Sequence, residues 1–572
     1  MITLKRMALI TILWVAVGCS KETAVLPTAV PETAVVVPTA TAEIATIPPE
    51  PTDVPTPEPT PFPPDLSLNA QDIFTFPNPE IYAGDLVTFQ VMPFVSQPVV
   101  ADDVSVHVMV DGYDVAAGTL SERNFAGDPR SVFAWAWDSS NQLGTHEVRV
   151  VLDRDDRIVV GDEDPTNNQA AITLTVLDPK DIPATEENAT WVTADTTCCI
   201  IHTVSGTAAY RDLPNLVKVV DDAAAQAAAR LNEQPQRKID IYLIDRVIGQ
   251  GGYAGSAIVA SYLDRQYSGN SLHELLVHEI THIIDQQFAP HRLVFLAEGV
   301  AVWATGGHYK MENLTERNAA LLSLGQAVPL AEMINNFYPV QHEIGYLQAG
   351  GFVQYLIDTY GWSTFRAFYS NTTLDDGATP AEAVDRNLQT YYNKSLAQIE
   401  ADWQGALRGV ELGETAVSDL QTTIRFFDVM RRYQLLYDPT AHFLRAWIPQ
   451  PKAVRTQGNP ADLTRHPTAE INVTLEVMLE AANTSWRGGD YQRANVILDS
   501  VERVLDNDGA FIDPLATNYL NIVRKVTAVG YKVQSITLQG DEAQLVVTLA
   551  NKNGLLPINM RLVNRDWIIL AN

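Results

Sequence analysis

Two histidines and a glutamate lie close together in an apolar stretch of the chain. They are His278, Glu279 and His282, within the proline-free residues 276–284. Residues four apart lie on the same face of an α-helix, so both imidazoles can reach one tetrahedral metal ion. The carboxylate beside them can take a proton from a water that the metal activates. The pattern therefore predicts a metal site with a general base, and zinc is the metal we expect.

A catalytic zinc site has three protein ligands and leaves one position open for substrate. Glu298 is an isolated carboxylate in the apolar helical segment at residues 295–303, downstream of His282. An unpaired glutamate in such a segment would be costly to bury unless a positive charge neutralised it. We therefore predict that Glu298 is the third ligand. The alternative is a glutamate that caps or lines a helix end at the surface.

The other histidines and the glycines indicate no second catalytic site. His273 lies five residues before His278 and so points to another helical face, and His291 follows a proline in a predicted loop. We assign His202, in a strand-like run, to the core or edge of a sheet. The sequence has no Gly-x-Ser-x-Gly elbow and no phosphate-binding glycine loop, so serine-hydrolase and nucleotide-dependent chemistry have no support.

The motif helix followed by Leu-Ala-Glu-Gly at residues 296–299 resembles the gluzincins, and more narrowly the bacterial peptidase-MA-like family. Two later passages, at residues 346–361 and 399–403, also resemble that family. The resemblance implies zinc as cofactor, hydrolysis of peptide or protein substrates and a thermolysin-like active-site helix. It further implies a cleft between an upper sheet and lower helices.

The resemblance also implies contacts to the substrate and to the developing oxyanion. An edge strand above the cleft should align the substrate, and its candidates are Gly252, Tyr253 and Ala254. Gluzincins usually add a Tyr or His donor for the oxyanion, and Tyr346 is our candidate. Tyr338 and His342 are the rivals. An equally good interpretation packs Tyr346 in the helical core with Phe352 or Tyr355.

The chain departs from the family pattern at a position that orients the metal ligands. Thermolysin-like enzymes carry an Asp four residues after the ligand Glu, whereas this chain has Val302. A metal-bound imidazole usually donates its second N–H to another group, so a different residue must orient the histidines. Asp285 is our candidate for this role.

The first residues predict export and lipid attachment. Basic residues precede an apolar run at residues 7–17, and Cys19 follows directly after small residues. This order is typical of a secretory signal, and its end resembles a bacterial lipobox. The resemblance implies that residues 1–19 are a lipoprotein signal peptide. Lipid on Cys19 would then anchor an extracytoplasmic protein to the membrane. The alternative is an uncleaved anchor helix, for which the run is short.

A proline- and threonine-rich stretch separates the signal from the first domain. Residues 21–64 hold 12 of the 33 prolines of the chain. Such a composition cannot bury a core, so we predict a disordered, extended stalk at residues 20–65.

Apolar residues alternate with polar ones in five segments between residues 66 and 178, at positions 87–91, 104–110, 133–137, 148–152 and 172–176. Short alternating segments separated by turns predict an antiparallel β-sandwich. Its close, with Asp153 and the acidic residues 162–168, resembles the CARDB-type immunoglobulin-like adhesion modules. The acidic loop could be a calcium site, but we favour a solvated turn.

The remainder predicts two further domains. Residues 184–412 have mixed α/β character, with strands expected at 239–243 and 257–262. The resemblance assigns the thermolysin-like zincin domain to this range. Residues 413–572 predict helices, including one tetratricopeptide-like pair, and a β-meander, which together make a small α+β module. The fold class is therefore multidomain: an all-β sandwich, an α/β-to-α catalytic domain and an α+β module.

Charge and cysteine content restrict the partners and the redox chemistry. The 69 acidic and 39 basic residues give a formal net charge of −30, which repels phosphate backbones, so we expect no nucleic-acid partner. Besides Cys19 the chain has only Cys198 and Cys199. Adjacent cysteines can form only a vicinal disulfide, and we favour a buried pair of thiols instead.

These observations predict a membrane-anchored, extracytoplasmic zinc metallopeptidase. The alternative is a non-catalytic adhesion or binding lipoprotein that keeps a vestigial zincin scaffold. A third hypothesis, a zinc aminopeptidase, lacks a recognisable motif for binding a peptide N-terminus. The presence of three ligands and a base favours the enzyme.

Overall fold

The computed structural model describes residues 64–570, apart from gaps at 247–248, 250, 270, 448–449, 457, 459 and 550–551. The predicted signal at 1–19, its Cys19 and nearly all of the stalk at 20–65 lie outside the described residues. No helix of the described chain is both long and apolar enough to cross a membrane. The chain has a mostly β region first, then a helical middle and a C-terminal β module.

Eleven strands of the described chain form the N-terminal β region. They are β1 (Leu66–Ser67), β2 (Ile73–Phe76), β3 (Ile81–Tyr82), β4 (Leu86–Val91), β5 (Phe94–Val95), β6 (Ser105–Val110), β7 (Tyr113–Thr119), β8 (Glu122–Arg123), β9 (Pro129–Asp138), β10 (Gly144–Leu152) and β11 (Gln169–Leu177). Two sheets, β3-β11-β10-β6-β7 and β2-β4-β9-β8, enclose one apolar core. The alternation predicted for β6 is confirmed, because Val106, Val108 and Val110 are buried and their neighbours are not.

A five-stranded sheet opens the middle region after α1 (Ala184–Glu187). Its strands are β12 (Trp191–Asp195), β13 (Cys199–Val204), β14 (Ile239–Ile244), β15 (Gly252–Ala254) and β16 (Ile258–Ser261), in the order β12-β13-β14-β16-β15. β13, β14 and β16 are parallel, and α2 (Ala208–Leu231) connects the first two. β15 pairs antiparallel to β16 and forms the edge of the sheet. The strands predicted at 239–243 and 257–262 are confirmed as β14 and β16.

The expectation of two free thiols is wrong, because Cys198 and Cys199 form a vicinal disulfide. The Asp221 carboxylate of α2 accepts the backbone N–H groups of Thr197 and Cys198, each at 3.2 Å. Thr196 Oγ1 accepts the N–H of Cys199 at 3.0 Å. These hydrogen bonds hold the chain in the tight turn where the two side chains meet.

Eight helices of the described chain form the middle region. They are α3 (Leu272–Asp285), α4 (Val294–Thr305), α5 (Leu314–Ser323), α6 (Leu330–Asn335), α7 (His342–Tyr360), α8 (Trp362–Asn371), α9 (Pro380–Tyr392) and α10 (Leu396–Arg408). The predicted motif helix is α3, which packs against α2 and α4. α4 is buried on nearly all sides, as its uninterrupted apolar sequence requires.

Val302 lies in a close contact between α4 and α7. A Cβ atom on Gly350 would lie 2.4 Å from Val302 Cγ1, so only glycine permits this approach. An aspartate at position 302 would place a carboxylate in the apolar contact between the two helices. Helix packing is therefore the physical reason for the departure from the thermolysin-like pattern.

The C-terminal region consists of helices followed by an antiparallel sheet. Its elements are α11 (Ala416–Tyr437), α12 (Pro451–Thr456), α13 (Ala461–Thr464), α14 (Glu470–Arg487), α15 (Tyr491–Asp506), α16 (Pro514–Thr527), β17 (Tyr531–Gln539), β18 (Glu542–Leu549), β19 (Lys552–Val563) and β20 (Asp566–Ile569). α11 contributes Leu420 and Ile424 to the core of the middle region and Phe426 and Met430 to the C-terminal core. The two regions therefore share one helix.

The chain segment between α11 and α14 carries buried ion pairs that join all three regions. Arg465 pairs with Asp85 of the β region at 2.5 Å and with Glu186 at 2.7 Å. Arg246, which follows β14, donates to the Arg465 carbonyl at 2.8 Å and pairs with Asp438 at 2.8 Å. Removing one partner of such a pair leaves a buried charge uncompensated, so these contacts fix how the regions meet.

Candidate metal centre

The structure brings the three predicted ligands together. Glu298 Oε2 lies 3.0 Å from His278 Nε2 and 3.3 Å from His282 Nε2, and the two nitrogens are 3.2 Å apart. Within the described chain this is the one group of three or more His, Cys, Asp or Glu with ligand atoms all within 4.8 Å of one another. Tetrahedral bonds of about 2.0–2.1 Å place ligand atoms about 3.3 Å apart. The donor set and its spacing therefore fit a zinc-sized ion.

Burial and mutual attraction set the charges of this group. Burial alone would raise the pKa of the Glu298 carboxyl, but the two imidazoles hold it well below its usual range. Burial alone would lower the pKa of His282, but the Glu298 carboxylate raises it to about 9. The carboxylate thus favours a positive charge between the imidazoles, and a metal ion supplies such a charge.

Tyr338, and not Asp285, forms a hydrogen bond to one of the three predicted ligands. The Tyr338 hydroxyl donates to Glu298 Oε1 at 3.1 Å, which leaves Oε2 for the metal. The expectation that Asp285 orients a histidine is wrong. Its carboxylate pairs with Arg292 at 3.0 Å and accepts the Tyr369 hydroxyl at 2.5 Å. His282 Nδ1 is buried and has no hydrogen-bond partner within the described chain.

Glu279 faces a cleft of about 580 Å³ that lies beside the ligands. Gly252 of β15 lines the same cleft, where a Cβ atom would lie 3.2 Å from Leu275 Cδ1 and 3.4 Å from Glu279 Cγ. A side chain would therefore crowd the base. Burial raises the pKa of the Glu279 carboxyl. This carboxylate makes no hydrogen bond within the described chain, so it is free to act on a bound molecule.

Only one of the three predicted substrate-binding residues lines the cleft. Gly252 does so, because successive residues of a strand point to opposite faces. Tyr253 packs in the apolar cluster around Tyr242 and Val259, and Ala254 packs against the core of the middle region. Any contribution of these two residues to substrate binding would come from their backbone groups at the sheet edge.

Tyr346 lies in the cleft wall, in the second turn of α7. Its ring stacks on His308, with centroids 4.3 Å apart and planes 7° apart, and also packs against His342 and Phe337. Its centroid is 6.0 Å from that of His278. Its hydroxyl makes no hydrogen bond within the described chain, whereas that of its rival Tyr338 is bonded to Glu298.

His308 is a cleft residue that the sequence analysis missed. Its Nδ1 lies 2.8 Å from Glu343 Oε2, and burial together with His278 holds the pKa of His308 well below its usual range. The residue follows Gly306 and Gly307, and this glycine pair directly after the ligand helix is the signal that could have indicated it.

The opposite wall comes from distant parts of the chain. Phe443 packs against His342 and Tyr338, with ring centroids 5.2 and 5.8 Å apart. It also stacks on Phe125 of the β region, 5.5 Å away. The Arg431 guanidinium carbon lies 5.4 Å from the Phe443 ring, and both residues line the cleft. Sequence spacing gives no signal for these contacts.

No protein-family model matches the chain, and no curated protein matches it. Among solved structures, an M1 zinc metallopeptidase mutant from Deinococcus radiodurans shares 10% identity over 61% of this chain and 94% of that one, with a TM-score of 0.28. An aminopeptidase N family protein from Idiomarina loihiensis shares 9% identity over 67% of this chain and 76% of that one, with a TM-score of 0.22. The CARDB domain of a Pyrococcus furiosus protein, in complex with di-metal ions, shares 19% identity over 20% of this chain and 90% of that one, with a TM-score of 0.16. These values are low, so the functional argument rests on the site itself.

Replacing Glu298 by Ala should remove most of the bound metal, because it deletes one of three ligand atoms. We expect zinc content after dialysis to fall from about one ion per chain to near zero. The Glu332→Ala variant removes an exposed glutamate of α6 and should keep its zinc. Unchanged zinc in Glu298→Ala would place the third ligand elsewhere.

Proposed function

We propose that the protein is an extracytoplasmic zinc metallopeptidase that hydrolyses peptide bonds. The observation that carries this proposal is the position of Glu279. Its carboxylate lies in a cleft, without a hydrogen bond in the described chain, next to three ligand atoms that are 3.0–3.3 Å apart. A buried carboxylate without a structural partner beside a metal site is typical of a catalytic base.

The cleft residues would divide the work of hydrolysis between them. The two histidines and Glu298 would hold zinc, which when bound would supply Lewis-acid activation of water and of the peptide carbonyl. Glu279 accepts a proton from the attacking water at its carboxylate and can pass it to the leaving amine. The Tyr346 hydroxyl donates to the carbonyl oxygen as negative charge develops there. The β15 edge offers backbone groups to an extended peptide.

The alternative, a non-catalytic adhesion lipoprotein, explains the site less well. A buried carboxylate without a partner is costly. A vestigial scaffold would have no need of such a group, whereas a catalytic base requires it. The same holds for the free hydroxyl of Tyr346. Two groups that are costly to bury and free to react favour the enzyme.

Membrane anchoring through lipid on Cys19 belongs to this proposal and rests on the sequence alone. The vicinal disulfide supports an oxidising, extracytoplasmic location, since disulfides are rare in reducing compartments. The mass of the mature N-terminal peptide measures the lipid directly.

Replacing Glu279 by Gln should abolish peptide hydrolysis and leave zinc bound. The amide keeps the shape of the side chain but cannot accept the proton of water. We expect kcat to fall by at least about 10³-fold, measured on a peptide library, with zinc content unchanged. Turnover at the wild-type rate would refute the proposed mechanism.

Replacing Tyr346 by Phe removes only the hydroxyl. If that hydroxyl stabilises the developing oxyanion, kcat should fall on the order of 10²-fold while KM and zinc content stay unchanged. Tyr355→Phe makes the same chemical change two turns later in α7 and should leave kcat unaltered. Wild-type kcat in Tyr346→Phe would return the oxyanion role to Tyr338 or His342.

Arg431 indicates the class of peptide that the cleft accepts. Within the described chain it has no salt-bridge partner, and its Nε is buried without a hydrogen bond. Nearby Glu343 is bonded to His308, and Asp428 accepts a hydrogen bond from Gln341. The Arg431 guanidinium also hydrogen-bonds the Tyr309 hydroxyl but has no carboxylate partner within the described chain, so it disfavours a peptide amine and favours a carboxylate. We propose that Arg431 binds a carboxylate of the substrate near the scissile bond.

The Arg431→Gln variant tests this with matched peptides. For a peptide with a carboxylate we expect kcat/KM to fall on the order of 10-fold, mainly through KM. Peptides with an amidated C-terminus or with Gln in place of Glu identify which carboxylate is bound. Arg432→Gln is the control, since that exposed neighbour pairs with Asp506. Equal losses on charged and uncharged peptides would contradict the proposal.

A further inference from the structure

The acidic loop of the β region is more buried than the solvated turn that the sequence favours. Its middle, residues 163–166, is exposed, but Asp153 is only 3% exposed and Asn168 only 6%. Asp162 and Asn167 are half-buried, and so is Asp65, which directly precedes β1. Five polar side chains from three parts of the chain therefore meet below the surface of the loop.

Hydrogen bonds hold these five side chains together but leave half of their oxygens unused. Asn167 Nδ2 donates to Asp65 Oδ2 at 2.9 Å, and Asn168 Nδ2 donates to Asp162 Oδ2 at 2.6 Å. Asp153 Oδ2 accepts the Ile158 N–H at 2.7 Å. In every one of the five side chains the Oδ1 atom is buried and has no hydrogen-bond partner within the described chain.

The charges of the cluster are uncompensated as well. Burial raises the pKa of the Asp162 carboxyl and the Asp65 and Asp153 carboxylates raise it further, which outweighs the opposing effect of hydrogen bonds from Asn168 and the Leu66 backbone. Buried polar atoms in proteins are almost always hydrogen-bonded, and buried charges are paired or bind metals. A bound cation would satisfy these five buried oxygens, three of which belong to carboxylates.

We propose a calcium-binding site in the β region, whose side-chain ligands are Asp65, Asp153, Asp162, Asn167 and Asn168. Carboxylate and amide oxygens are the ligands that calcium takes, and the set contains no nitrogen or sulfur donor. This site is separate from the metal centre of the middle region and does not depend on the proposed peptidase activity.

The spacing of the carboxylates suits a large ion. The three aspartates are absent from the described groups whose ligand atoms all lie within 4.8 Å of one another. A calcium ion with 6–8 ligands at about 2.3–2.6 Å holds oxygens on opposite sides about 4.6–5.2 Å apart. The tighter group in the middle region suits a zinc-sized ion, whereas any ion that the three aspartates share would need longer metal–oxygen bonds.

Calcium at this position would fasten the start of the β region. Asp65 is bonded to Asn167, and the Asn167 carbonyl accepts the Leu68 N–H at 3.0 Å. The Asn168 carbonyl accepts the Leu152 N–H at 2.8 Å, which joins the end of β10 to the same cluster. The ion would thus link the chain that follows the predicted stalk to two strands of the sheet.

Calcium titration of the full-length, zinc-loaded protein tests the proposal. We expect calorimetry to give saturable binding with a Kd on the order of 10⁻⁴–10⁻³ M, typical of extracellular modules. At ten times Kd the melting temperature should rise by about 3 °C. Magnesium at the same ionic strength should give a much smaller rise, because it requires strict octahedral geometry.

Asp162→Asn and Asp155→Asn are the matched variants. Asp162→Asn removes a ligand charge and should lose the calcium response, yet without calcium it should be at least as stable as the wild type, because carboxylate repulsion is relieved. Asp155→Asn makes the same change at an exposed residue that pairs with Arg157, and it should bind calcium normally. Absence of binding up to about 10 mM calcium, an equal effect of magnesium, or normal binding by Asp162→Asn would overturn the proposal.

Discussion

The cost of a carboxylate in an apolar interior is the constraint on which the metal centre depends. Glu298 lies on α4, the helix that is buried on nearly all sides. It is tolerated there only because the two imidazoles of α3 approach one of its oxygens and the Tyr338 hydroxyl binds the other. α3 packs against α4, which brings the two imidazoles within reach of Glu298, and α7 packs against α4 at Gly350.

The cleft is lined by residues of the middle region and of the chain from α11 onward, and the β region supports one of its walls. The middle region supplies the ligands and the base, α11 supplies Arg431, and Phe443 stacks on Phe125 of the β region. Contacts between the regions hold this wall in place. Gln90 donates to the Arg445 carbonyl at 2.6 Å, so the β region contacts the segment that carries Phe443. The β region therefore supports the wall that contains Phe443, although none of its described residues lines the cleft.

Local periodicity made the core of the site predictable, and long-range contacts made the rest unpredictable. The four-residue spacing of the histidines and the apolar surroundings of Glu298 are local signals. They can be interpreted from two consecutive helices without knowledge of the tertiary fold. Arg431 and Phe443 have no such signal, because only the tertiary fold brings them to the cleft. Asp285 failed as an orienting group because Arg292 and Tyr369 occupy its carboxylate. The hydrogen bond between Asp65 and Asn167 likewise joins residues that are 102 positions apart in the chain.

The wall formed by Phe443 has a consequence for when the protein can act during its biosynthesis. A ribosome makes residues 278–298 long before it reaches residue 443, so a nascent chain holds its ligands without a complete cleft. Under the lipoprotein hypothesis, such a chain would cross the membrane during or after synthesis in an immature state. The cleft would then be complete only after α11 and Phe443 had been made, later than its metal ligands and earlier than the C-terminal sheet.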